Sequence, residues 1–381
     1  MNLVCLAEVA WGYFRTRKRF LMTRLAARGW RVVYMEPPAF GRGGGRGPRQ
    51  EDGVTVVTVP FLKPSTSVAA YNAAVSTGIG RALVESVARR QVALWSRRLG
   101  LEDAVCVLAN VYAASAVDAL RPRLVCYDFN DHPLQFPNLP AWVDGYLDRA
   151  LARSDLVIAV SETYRRMLAG RVSVPVHLLE NGVEFERFAH PDGPVPPDLD
   201  RLPRPRIGYL GKISDMVDYE TLRQLAAAGL GSLVLAGPAP AETRRQLETL
   251  AAQPGVHYLG ERPYEEVPRF FAGLDLGLIP FRADHAYTAG IRPNKLYQYL
   301  AAGLPFVSSP IEGMTADAAG VYFAATPQAF VAETRRALAA PADRERLRGC
   351  AKGRDWDALT ERFDGMLRTA LASPATERKG H

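Results

Sequence analysis

The feature that most restricts the fold is an alternation, met twice along 381 residues, of short β-branched runs and longer helical patterns. "NLVCLA", "RVVYME", "VTVVTVP", "AVCVLA", "RLVCYD" and "DLVIAVS" read as strands. "RFLMTRLAARG", "VESVARRQVALWSRRL" and "PAWVDGYLDRALARS" read as helices between them. The segment "HPDGPVPPDLDRLPRPR" is too rich in proline and aspartate to hold much regular structure. After it the pattern restarts with "RIGYLG", "SLVLAG", "VHYLG", "LDLGLIPF" and "PFVSS" as strands. Such alternation builds parallel, doubly wound sheets. The expected architecture is α/β with two Rossmann-like domains: residues 1–190, a linker at 191–205, a second domain at 206–354, and a helix with a tail at 355–381 that packs back across the first. Two such domains in tandem place a ligand crevice at the carboxyl ends of their strands. The glycine-rich "GRGGGRGPRQEDG" at 41–53 reads as a flexible loop.

Composition removes several function classes. No apolar run reaches the roughly 18–20 residues that span a bilayer, and the N-terminus lacks the basic and apolar regions of a signal peptide. Cysteines 5, 106, 126 and 350 are scattered, three of them in strand-like runs. They suit reduced, buried thiols in a cytoplasmic protein, not a disulfide frame or a zinc site. Residues 1–190 carry 24 Lys and Arg against 17 Asp and Glu, whereas residues 191–381 carry 23 of each. The whole positive excess therefore lies in the first half. A basic half suits an acidic substrate or an anionic membrane surface. No nucleic-acid-binding motif accompanies it.

Four stretches can carry chemistry. In "GIRPNKLYQYLAAGLPFV", Arg292, Asn294 and Lys295 stand where an apolar helix begins, next to Pro293. A helix start already bears partial positive charge, so further cations there call for an anion, most simply a phosphate. Gln298 follows on the same helix face, within reach of ribose hydroxyls. In "YLGKISD", Gly211 lets a ligand approach the backbone and Lys212 reaches toward a phosphate. "YDFNDHP" ends a strand with Asp128, Asp131 and His132, of which Asp131 is the first choice as general base for a sugar hydroxyl. "WGYFRTRKRF" mixes Trp11 and Tyr13 with Arg15, Arg17 and Lys18 and suits gripping an acceptor or resting on a membrane. The "DLD" at 198–200 lies in the proline-rich segment, away from any strand end, so no metal is expected there.

Taken in order, "IGYLGKI", "VHYLGERPYEEVPRFFAGLDLGLIPF" and "RPNKLYQYLAAGLPFVSS", together with "CYDFNDHP" and "LLENGVEFERF", make the chain resemble the GT-B glycosyltransferases over nearly its whole length. Within them it is similar to bacterial polysaccharide and cell-wall transferases of the TuaH type, and "NKLYQY" also looks like a segment of the xanthan glucuronosyltransferase. The resemblance implies a nucleotide-sugar donor, most simply UDP-linked, held by the second domain. Gly211, Lys212, Arg292, Asn294 and Lys295 would then be at the diphosphate, Gln298 at the ribose, and Glu261, Arg262 and Pro263 beside the base. It implies an acceptor in the first domain: a saccharide, a lipid-linked saccharide or a natural-product scaffold. No cofactor and no metal are implied. The chain departs from the large family-four group, whose paired glutamates fall at Gly290 and Gln298 here. That departure favours inversion with Asp131 as base. Two other roles fit the same architecture: a nucleotide-sugar-binding protein without transfer, and a UDP-sugar epimerase.

Overall fold

The computed structural model describes residues 1–13, 15–38, 47–64, 66, 68–135, 139–285, 288, 290–314, 316 and 320–373. The chain divides into two compact units, Met1–Glu180 with Leu359–His381, and Asn181–Ala358. The last helix, Trp356–Ala372, thus begins in the second unit and is counted with the first from Leu359 onward. Trp30 fastens it there, donating its indole N–H to Asp364 at 2.8 Å.

The first unit has strands β1 (Asn2–Leu6), β2 (Arg31–Glu36), β3 (Arg49–Glu51), β4 (Val54–Thr58), β5 (Val105–Leu108), β6 (Leu124–Phe129), β7 (Leu156–Ala159) and β8 (Val176–Leu178). They form one sheet in the order β3-β4-β2-β1-β5-β6-β7-β8, parallel except for the β3–β4 pair. The strand β3 corrects part of the expected flexible loop at 41–53: the last residues of that stretch pair with β4, while residues 41–46 lie outside the described residues. The central strands are apolar on both faces because helices cover both, and Leu3, Val4, Cys5 and Leu6 are all fully buried. Cys5, Cys106 and Cys126 are buried free thiols in β1, β5 and β6.

The second unit contributes β9 (Arg206–Leu210), β10 (Ser232–Ala236), β11 (Val256–Tyr258), β12 (Leu276–Ile279), β13 (Phe306–Ser308) and β14 (Val321–Phe323). Their order is β11-β10-β9-β12-β13-β14, all parallel. Each sheet reverses its winding once, between β1 and β5 in the first and between β9 and β12 in the second. Ligands of doubly wound folds bind outside the strand ends at such reversals.

Residues 191–205, expected as a linker, lie wholly within the second unit. Leu199 is fully buried in its core, Asp198 pairs with Arg262, and Asp200 pairs with Arg206 at 3.1 Å. The two aspartates of "DLD" therefore serve arginines. Prolines restrict backbone freedom without preventing packing, so composition alone misread a docked segment as a free one.

Candidate functional site

In the second unit, small residues bring one helix hard against the sheet. A Cβ added at Gly277 would lie 2.9 Å from the Tyr299 ring, and one at Gly208 would lie 2.5 Å from Leu274. Tyr299, fully buried, donates to the carbonyl of Leu278 at 3.1 Å. The helix Asn294–Ala302 is thereby seated beside the β9–β12 reversal. Pro293 precedes it with extended backbone, and Gly303 closes it at φ 63°. The C-terminal stop is a left-handed glycine cap, which costs other residues strain.

Lys295 occupies the first turn of this helix. Its amine lies 4.6 Å from the centre of the Tyr209 ring and 4.9 Å from that of Phe281, and donates to the Tyr209 hydroxyl at 3.3 Å. A Cβ at Gly211 would sit 3.0 Å from that amine. Burial lowers the amine to about 7, and among the described residues no carboxylate pulls it back. Two ring contacts supply about 0.5–2 kcal/mol each. Withdrawing an ammonium from water costs several kcal/mol. The rings alone do not offset that cost, which is why burial pulls the amine down.

Gly211 has φ 152° and Gly237, at the end of β10, has φ 128°. A Cβ at Gly237 would come within 2.1 Å of the Gly211 carbonyl oxygen. Close approach therefore requires a glycine at 237, and the backbone angle favours one at 211. The sequence suggested that Gly211 presents its N–H to a ligand; instead it donates to the Ala236 carbonyl at 2.9 Å. What Gly211 provides is room for the lysine. Lys212 is exposed, its carbonyl accepting from the Tyr209 hydroxyl at 2.9 Å. Arg292 is 8% exposed, with its guanidinium 3.0 Å from where a Gly313 Cβ would stand. The Asn294 side-chain oxygen is buried without a hydrogen-bond partner among the described residues. Gln298 is half-buried on the same helix, and Gly290 has φ 88°.

Glu261 and Pro263 are exposed around a turn whose Gly260 carbonyl accepts from Gly237 N–H at 2.7 Å. The side chain of Arg262 is committed to the fold, pairing with Asp198 and lying over the Phe270 ring. Of that turn, backbone atoms and the exposed Glu261 and Pro263 remain open.

In the first unit, two calls about exposed cations are corrected. Arg17, expected at an acceptor or membrane, is 2% exposed. Its Nε reaches both Asp128 oxygens at 3.2 Å, and Nη1 donates to the Glu180 carbonyl at 2.8 Å. Lys18 is likewise buried and pairs with Glu8. Trp11 is 3% exposed against Tyr34, its backbone N–H donating to Glu36 at 2.7 Å. Of that stretch Tyr13 is exposed and Arg15 half-exposed. These cations turn inward because their helix, Arg17–Ala27, starts beside buried carboxylates that need neutralising.

The same pairing turns the buried Asp128 carboxylate onto Arg17, away from the role of a base for an incoming hydroxyl. Asp131 is half-buried and accepts from Asn130 at 2.8 Å. His132 is buried between Phe129 and Tyr164, with Nδ1 accepting from the Leu134 N–H at 3.2 Å. Its desolvation lowers its affinity for a proton, so it stays neutral.

Glu8 is the residue that sequence reasoning missed. It stands two residues beyond β1, at the other winding reversal, with a third of its side chain exposed. Burial raises its pKa, Lys18 opposes that, and Asp131 adds to it. One of its oxygens, Oε2, is buried without a hydrogen-bond partner. An acidic residue just past an apolar strand run was the available signal.

Comparison with known proteins bears on both units. Residues 204–340 match the model of the family described as glycosyl transferases group 1. A Bacillus subtilis (strain 168) protein, provisionally described as the teichuronic acid biosynthesis glycosyltransferase TuaH, is 26% identical over 225 residues, 55% of this chain and 56% of that one. The chain thus spans about half the length of that relative. Among solved structures, sucrose-phosphate synthase from Thermosynechococcus elongatus superposes with a TM-score of 0.74 at 14% identity, over 98% of this chain and 100% of the other. Anabaena HepE in complex with UDP gives 0.66 at 15%, over 97% and 100%. The UDP-forming trehalose-phosphate synthase of Burkholderia xenovorans gives 0.70 at 15%, over 98% and 100%. At such identities these structures speak for the fold. By its fold the chain resembles the GT-B structures, and within its second unit residues 204–340 match the glycosyl transferases group 1 model.

Proposed function

We propose that the chain moves a sugar from a nucleoside diphosphate donor, with UDP as the nucleotide, to an acceptor hydroxyl. The observation that carries this reading is Lys295, a half-buried amine at a helix start, packed on two rings and on Gly211, with no carboxylate among the described residues to match it. Asn294 and Arg292 stand beside it on the chain and complete a cationic, hydrogen-bonding set for a diphosphate. Lys212 reaches the same group from the end of β9. Gln298 takes the ribose, and the backbone of the turn at Glu261–Pro263 takes the base.

As the bond from the sugar to the diphosphate oxygen breaks, negative charge grows on the leaving group, and the lysine and the helix N-terminus stabilise it. Transfer then needs no metal. In the first unit Asp131 accepts the acceptor's proton while the new bond to the sugar forms. With neither Gly290 nor Gln298 acidic, inversion follows. HepE bound to UDP and the UDP-forming synthase support the choice of UDP. The likeness to TuaH supports a saccharide or lipid-linked saccharide acceptor over a natural-product scaffold.

The test is a metal-free calorimetric and thermal-shift panel of UDP, TDP, GDP and ADP. UDP should stabilise the protein in proportion to occupancy, and Lys295→Ala should bind it at least about 100-fold more weakly, as expected for loss of a desolvated charge partner. Asp131→Asn should bind UDP like the wild type and lose about 10²–10⁴ in turnover. Full turnover in that variant would move the base to Glu8. A shift from no nucleotide would sink the donor reading. Binding without transfer to any acceptor would make this a nucleotide-sugar-binding protein, and turnover without acceptor an epimerase.

A further inference from the structure

The helix Gly78–Leu99 has two apolar sides. One, with Ala88, Val92 and Trp95, is buried in the core of the first unit. On the other, Ile79 is 86% exposed, Leu83 66%, Leu94 44% and Val87 38%. At 100° per residue these four fall in one stripe about 80° wide. A single exposed aliphatic side chain is ordinary, whereas an aligned set marks an interaction surface. Toward its C-terminal end the stripe takes in Arg90 and Arg97, both exposed, with Arg98 at its margin.

Charge selects the partner. The helix holds five arginines and one glutamate. That glutamate, Glu85, is occupied at 2.8 Å by the Tyr146 hydroxyl and lies near Arg149. Among the described residues no carboxylate pairs with Arg90 or Arg97. We infer that this helix docks the chain on an anionic lipid bilayer, with the aliphatic side chains in the headgroup–acyl boundary and the arginines on lipid phosphates. Basic side chains at one end of an apolar stripe can reach lipid phosphates along their apolar stems while the aliphatic side chains enter the boundary. A second copy of the chain fits less well, because a contact through the stripe would cover its arginines with no carboxylate on that face of the helix to pair with them. In the stretch Trp11–Phe20, Arg17 and Lys18 are spent on Asp128 and Glu8 and are not open to lipid phosphates. The inference stands apart from the sugar-transfer reading.

The experiment is co-sedimentation of the full chain with phosphatidylcholine vesicles, with and without phosphatidylglycerol, at low and high salt. Binding should require the anionic lipid and weaken with salt. Ile79→Glu/Leu83→Glu should weaken it at least about tenfold, and Arg90→Gln or Arg97→Gln about fivefold each. Tyr13→Ala/Arg15→Ala should bind like the wild type. Circular dichroism checks that each variant folds. Wild-type-like binding by Ile79→Glu/Leu83→Glu would overturn the inference. So would absence of vesicle binding, or a dimer in light scattering that this variant turns into a monomer.

Discussion

Two helices of this protein start alike and end up electrostatically opposite. Arg17–Ala27 and Asn294–Ala302 each carry a lysine in the first turn, Lys18 and Lys295, and each lysine is withdrawn from water. In the first unit the chain supplies the counter-charges itself: Glu8 to Lys18, and Asp128 to Arg17. The pairing holds the Lys18 amine above its ordinary value despite burial. In the second unit aromatic rings and a bare glycine surround the amine, and burial brings it down to about 7. A matched buried cation is architecture, while an unmatched one is a candidate for binding, held at a cost to stability.

The sharpest way to break this contrast is to unmatch the first unit. Arg17→Ala should lower stability by about 3–5 kcal/mol in denaturant unfolding, because Asp128 is left as a buried, uncompensated charge. Arg17→Met/Asp128→Leu should recover much of the loss. Equal losses in both would mean that packing, not charge, sets the cost. Next in size is Gly211→Val. Its side chain would collide with the Lys295 amine and force a backbone at φ 152° that valine avoids, so a loss of roughly 1–3 kcal/mol is expected, together with at least tenfold weaker UDP binding. Unchanged UDP affinity would show that the lysine is not placed by the glycine.

The smallest effect is a proton count. With its folded value depressed to about 7 against an ordinary 10.5, Lys295 binds fewer protons in the folded state than in the unfolded one between those limits. Its penalty on the free protein is therefore full below pH 7 and fades as pH rises toward 10.5. A bound diphosphate restores the charge, so UDP binding at pH 8 should take up most of one proton. Calorimetry in buffers of different ionisation heat measures that uptake, and Lys295→Met should abolish it. Uptake that persists in the variant would place the titrating group elsewhere.

Much of the second unit was legible because its signals are local. Pro293 before a helix, Lys295 in its first turn and Gly303 after it lie within eleven consecutive residues, and the strand-end glycine of β9 declares itself by position. The first unit was harder. Arg17 and Asp128 are 111 residues apart, and nothing in "RTRKRF" says that two of its cations point inward. Glu8 lies near the end of a run that reads as strand, and only Lys18 ten residues on, with Asp131 far along the chain, makes it a candidate. The proline-rich segment at 191–205 misled for a related reason, since its anchors Arg206 and Arg262 follow it in the sequence.

Taken by itself, the sequence determined the two alternating sheets, the helix starts and the glycines that must stand at strand ends, because propensity, periodicity and backbone sterics act over a few residues. Only the tertiary structure decided which charges are satisfied. A cation's behaviour depends on how far it is withdrawn from water and on what stands within a few ångströms of it, and here those neighbours come from distant strands.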